Sequence, residues 1–141
     1  MKWLLGAIFV IFFIFVVATT IFAQRALVGG GSMDNVPEPK LISPITEEVN
    51  IKDQSVLKFK WSPFEGDITK RRYYDFRLYK GRDMVETTLI YKEKVAPEKH
   101  EMDLGADMFT AGETYTWCLR QVYYGVAGKS LRSFQSFRVI K

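Results

Sequence analysis

From Trp3 to Ala23 the chain reads WLLGAIFVIFFIFVVATTIFA, about 21 residues without a charged side chain, and no small water-soluble domain can bury such a run. As a helix it would rise ~1.5 Å per residue and cross the roughly 30 Å hydrocarbon core of a bilayer. Lys2 precedes it and Gln24-Arg25 follows it. The segment therefore fits either a transmembrane anchor or the apolar core of a signal peptide, with Lys2 as the basic flank and Ala23 at the cleavage position. Both alternatives keep the N-terminus inside and put everything after Gln24 outside the cytoplasm, in the periplasm or extracellular space. About 100 residues remain, enough for one compact domain.

Residues 24–38 come next, with three consecutive glycines at Gly29, Gly30 and Gly31, then Ser32, Pro37 and a following Pro39. That composition supports neither a helical nor a strand period and is expected to be a flexible linker. From residue 39 to 141 the pattern changes to short runs of Val, Ile, Thr and aromatics broken by Gly, Pro and Asp, which is the signature of β-strands. Strands are expected near Lys40–Ser43, Ser55–Trp61, Tyr73–Lys80, Thr87–Lys92, His100–Leu104, Glu113–Tyr124 and Ser133–Ile140. Seven strands imply an all-β, antiparallel two-sheet sandwich behind one N-terminal hydrophobic helix. Alternate side chains on a strand share a face, so Tyr115, Trp117 and Leu119 point one way while Thr116, Cys118 and Arg120 point the other. The same alternation selects Leu57, Phe59 and Trp61, then Tyr74, Phe76 and Leu78, then Phe137 and Val139 for the core.

Several motifs in this region share the spacing of one family. Pro39-Lys40-Leu41-Ile42-Ser43-Pro44 opens it, and Val56-Leu57-Lys58-Phe59-Lys60-Trp61-Ser62-Pro63 ends a strand on a tryptophan. Tyr74-Asp75-Phe76-Arg77-Leu78-Tyr79 alternates large and polar residues, and Met108-Phe109-Thr110-Ala111-Gly112-Glu113-Thr114-Tyr115 leads into a strand. Together these resemble a fibronectin type III domain, an immunoglobulin-like β-sandwich, with Ala111 where the family has proline. The resemblance implies that Trp61 is the core tryptophan and that Tyr115 is a corner tyrosine, its ring buried and its hydroxyl bonded to nearby backbone.

Catalysis finds little material here. The chain has one histidine and one cysteine, His100 and Cys118, so neither an intrachain disulfide nor a Cys- or His-built metal site can be assembled. His100 lies in the polar stretch Glu98-Lys99-His100-Glu101 and is expected at the surface. Glycine-rich phosphate loops and nucleophile elbows do not occur, so no enzyme activity and no cofactor are expected. A net charge of +4 is too small to argue for nucleic acid, and the short run Lys70-Arg71-Arg72 reads as a solvated loop.

The outward faces offer a binding surface instead. Tyr73, Arg77, Tyr79, Arg120, Tyr123, Tyr124 and Arg138 combine aromatics with arginines, the types enriched at protein interfaces. Tyr123 and Tyr124 are adjacent, so at least one must face out. The expected function is protein binding or scaffolding at the cell envelope, with the membrane as a further partner through residues 3–23 if uncleaved. A carbohydrate-binding module with coplanar exposed tyrosines is the alternative. Cys118 falls on the outer sheet face, where a small covered thiol is expected and intermolecular pairing is the alternative.

Overall fold

The computed structural model describes residues 36–125 and 128–141. The expected hydrophobic helix and residues 24–35 of the linker lie outside them. Within them the chain forms eight strands: β1 (Leu41–Ser43), β2 (Glu48–Asn50), β3 (Val56–Trp61), β4 (Arg72–Lys80), β5 (Leu89–Val95), β6 (Glu101–Gly105), β7 (Thr114–Tyr123) and β8 (Ser133–Ile140). They make two sheets, one of order β1-β3-β6 and one of order β2-β8-β7-β4-β5. The domain is thus an all-β sandwich, compatible with an immunoglobulin-like or fibronectin type III-type architecture.

Two features correct the expectation of seven antiparallel strands. β2 is an eighth strand, and it runs parallel to β8, with Glu48, Val49 and Asn50 opposite Arg138, Val139 and Ile140. The backbone of Arg138 donates to the Glu47 carbonyl, and that of Ile51 donates to the Ile140 carbonyl. Three residues with a single half-buried apolar side chain, Val49, are too few to show a period of two. Packing on the sandwich also begins at Val36, three residues before the expected boundary at Pro39, because Val36 and Pro39 are both buried.

The core follows the alternation read from the sequence. Phe59 of β3 sits at its centre, edge-on to Phe76 of β4 at 5.3 Å and to Trp117 of β7 at 5.2 Å, so one ring ties the two sheets together. Leu57, Phe59 and Trp61 face Tyr74, Phe76 and Leu78 across the sandwich, with Tyr115, Trp117, Leu119, Phe137 and Val139 completing the cluster. Both core indoles satisfy their N–H groups: Trp61 donates to the Lys99 carbonyl at 3.1 Å and Trp117 to the Pro44 carbonyl at 3.0 Å. The Tyr115 hydroxyl accepts the backbone N–H of Thr110 at 2.9 Å, while its ring lies edge-on to Phe109. A buried ring with a backbone-bonded hydroxyl five residues upstream is the corner geometry expected of this tyrosine.

A polar residue closes the end of the sandwich where the chain enters. Gln121 is fully buried, yet every part of its amide is used. Its Nε2 donates to the carbonyls of Pro37 and Glu65, each at 2.8 Å, and its Oε1 accepts the Glu65 N–H at 3.0 Å. One side chain therefore fastens the entering chain and the β3–β4 loop to β7. Beside it, the Tyr123 hydroxyl accepts the N–H of Asp67 at 2.6 Å. Gly66 makes that approach possible: it has φ of 127°, and a Cβ there would lie 2.2 Å from the hydroxyl oxygen.

Candidate interaction surface

β4 is the strand from which the surface is built, because β5 and β7 flank it and the register aligns their side chains in rows. Asp75 stands opposite Lys94 on one side and Arg120 on the other, and Arg77 stands between Lys92 and Cys118. Cys118 in turn faces Phe134, and Thr114 faces Arg138. These residues occupy the outer face, since their neighbours Tyr74, Phe76, Trp117 and Leu119 fill the core.

At the middle of the face Asp75 accepts from two guanidinium groups. Arg120 places Nε at 2.8 Å and Nη2 at 2.7 Å from Oδ2, and Arg77 places Nε at 3.2 Å from Oδ1. The three side chains retain only 11–23% of their exposure, so this is a partly desolvated cluster of one acid and two bases. The hydrogen bond it donates to Asp75 pushes the Arg77 pKa upward, which fixes its positive charge at every physiological pH. Cys118 is buried among these groups, and burial raises its pKa, so the thiol stays protonated at neutral pH.

Two regions of the face differ from this charged cluster. At the chain-entry end, Tyr73 and Tyr124 pack ring against ring at 4.7 Å with planes tilted by 49°. Lys94 holds its ammonium 5.0 Å from the Tyr73 ring and 5.8 Å from that of Tyr124, and Arg71 lies 4.9 Å from Tyr124. The backbone N–H of Tyr124 donates to the Arg71 carbonyl at 2.9 Å, which fixes the hairpin end to the start of β4. Toward the other edge, in the row of Arg77 and Cys118, Phe134 is 58% exposed and borders a groove lined by Glu48, Arg82, Thr114 and Arg138, which extends to the end away from the chain entry. Arg138 is exposed and donates Nε to the Gly112 carbonyl at 3.3 Å.

Of the seven residues expected at the surface, Tyr73, Arg77, Arg120, Tyr124 and Arg138 contribute to this face. Tyr79 and Tyr123 do not, being 1% and 4% exposed. Tyr123 shares the odd-numbered parity of Tyr115 and Trp117 and turns inward against Phe64, while Tyr124 takes the outward position at 45% exposure. Tyr79 belongs to the outer parity, but a register shift between Leu78 and Tyr79 sets it opposite Leu89. The exposed tyrosines are thus reduced to a tilted pair that packs on itself rather than a coplanar platform.

Sequence reading missed Lys94, Phe134 and the role of Arg71. The alternation of Lys92 and Lys94 places both on one face of a strand, but only the pairing of β5 with β4 sets that face beside Asp75. The run Lys70-Arg71-Arg72 is not simply a solvated loop. Arg72 begins β4, with its guanidinium 5.3 Å from the Phe64 ring and Nη1 donating to the Ile68 carbonyl at 2.6 Å. His100 is exposed beside a cleft that also involves Glu93, Glu98 and Glu101. No family model matches this chain, and no curated protein matches it either.

Proposed function

We propose that this chain is a non-catalytic binding or scaffold module of the fibronectin type III kind, anchored in a membrane or secreted, that engages a protein partner at the cell envelope. The fibronectin type III reading is supported by the strand order of both sheets and by the hydroxyl contact of Tyr115 with Thr110. The observation that carries the binding reading is the patch around Phe134. A half-exposed aromatic ring beside a groove with Arg82 and Arg138 on its walls is the composition of an interface centre, where aromatics and arginine supply most of the binding energy. An isolated surface phenylalanine would gain stability by turning away from water, and β8 holds this one outward opposite Cys118.

The test is affinity capture from an envelope fraction with the full chain, alongside Phe134→Ala and Arg138→Glu variants. A partner retained by the wild-type chain and lost by both variants is expected. Recovery of the same proteins by all three would remove this patch from the interface.

A further inference from the structure

The corner built from Arg71, Tyr73, Lys94 and Tyr124 has a second property: it lies at the end where the chain enters the sandwich. Pro37 is held by Gln121, two residues before Tyr123, which ends β7. Tyr73 stands opposite Val122, one residue on from Gln121. Residues preceding Val36 are therefore attached at the same end as this corner. The acids of that end are Glu38 in the entering chain, Glu98 in the β5–β6 loop, and Glu65 and Asp67 in the β3–β4 loop, the last two tied through their backbones to the inward residues Gln121 and Tyr123; none stands in the outer rows of β4, β5 and β7 that hold the corner. The Asp67 carboxylate accepts from the backbone and hydroxyl of Thr69. On the outer side, the rows next to the corner hold Lys92, Arg77 and Arg120 against Asp75 alone, and that acid is engaged by both arginines.

We infer that this corner docks on anionic lipid headgroups of the membrane that holds the chain's own N-terminal segment. The inference rests on the reading that residues 3–23 are inserted in that membrane. Charge and shape both favour it. Arg71 and Lys94 are held over ring faces, which orient a cation without neutralising it. Tyrosine combines an apolar ring with a polar hydroxyl and suits the headgroup layer. Each basic residue near an anionic surface strengthens binding about fivefold. Residues 24–35 cannot reach beyond about 40 Å even fully extended, so the domain stays close enough to an inserted segment 3–23 for a weak contact to be occupied. Docking by this corner leaves the groove beside Phe134, whose Thr114 and Arg138 part lies toward the other edge and the far end of the sheet, clear of the lipid.

The test uses the full chain reconstituted into phosphatidylcholine vesicles with and without phosphatidylglycerol, with hydroxyl-radical oxidation of Tyr124 read against that of Phe134. Several-fold protection of Tyr124 is expected only with the anionic lipid, and it should vanish in high salt and in the Arg71→Glu, Lys94→Glu double variant. Both changed residues are exposed, so the melting temperature of that variant serves as a folding control. Equal oxidation of Tyr124 on both lipids overturns the inference. So does protection that the double variant retains, or protection of Phe134 in place of Tyr124. If alkaline carbonate strips the chain from neutral vesicles, the anchor reading has failed. The corner is then judged by salt-reversible co-sedimentation with phosphatidylglycerol vesicles, whose absence also overturns it.

Discussion

On the outer face of the three-stranded sheet, Lys58 reaches Glu101 at 3.0 Å and Asp103 at 3.4 Å, and Lys60 reaches Glu101 at 3.9 Å. On the outer face of the five-stranded sheet, Asp75 alone faces Arg77, Arg120, Lys92 and Lys94 across the adjacent rows. The first face is a ladder in which every charge has its opposite across the strand gap, all of it well exposed. Such pairs keep an edge soluble and discourage strand addition, but they present no net field to a partner. The second face withdraws part of its charge from water and leaves a cationic excess, with Tyr73 and Tyr124 at one corner and Phe134 toward the other edge. Balanced charge on one side and unbalanced charge on the other are what the proposed binding role requires of the five-stranded face.

Four perturbations test that contrast. The largest effect should come from Trp117→Ala, because this indole touches Phe59 and Phe76 and holds the Pro44 carbonyl, linking both sheets. A loss of about 3 to 5 kcal/mol is expected, a large share of the stability of a small domain. Denaturant melts should show the variant largely unfolded, and wild-type melting would mean that the two faces do not share one core. Next comes Asp75→Ala, which leaves Arg77 and Arg120 facing one another in a partly desolvated site. Removing the shared acid should cost about 3 kcal/mol, whereas the ladder of the other sheet offers no acid whose loss matters as much.

Tyr115→Phe leaves the ring in place and deprives the Thr110 N–H of its acceptor. About 1 kcal/mol is expected, read as a shift in denaturant midpoint with unchanged slope. The smallest effect belongs to Lys58→Ala. Hydrogen bonds to Glu101 and Asp103 raise the Lys58 pKa, and the reciprocal bond lowers that of Glu101, but all three groups are solvated. Pairing with Glu101 should favour folding above the ordinary carboxylate range and fade as acid protonates Glu101. At neutral pH, melting indistinguishable from wild type is expected. A clear drop would mean that the balanced face also carries stability.

How much of this was legible in the sequence depends on how many residues carried each signal. Ten residues of β7 gave a parity that placed Tyr115 and Trp117 inward, and the structure agrees at both. Extending the same parity to Tyr123 would have turned it inward as well. Gln121 lay beyond such reasoning, since its burial depends on two carbonyls and an N–H supplied by distant segments. β2 was invisible because its partner is the last strand, ninety residues away, and three residues hold no period. The surface was half legible: β4 and β7 revealed their outward residues, but the cationic row of β5 needed the pairing itself. Cys118 shows the same division. Parity put it outward and its small size suggested that it was covered, and it is buried.

The parallel pairing of β2 with β8 has a mechanical consequence. When the chain is stretched between its entry near Val36 and Lys141, the two strands are drawn in opposite directions along a common axis. The bonds joining Glu47 to Arg138 and Ile51 to Ile140 are then loaded together in shear, rather than opened singly as in a peeled hairpin. Gln121 and Ser133, whose side chains donate to the carbonyls of Pro37 and Pro39, would have to yield before that load reaches β2. A tether attached at this end thus pulls on a clamp, and resistance to force is set by the unfolding rate of that clamp rather than by the depth of the folded well.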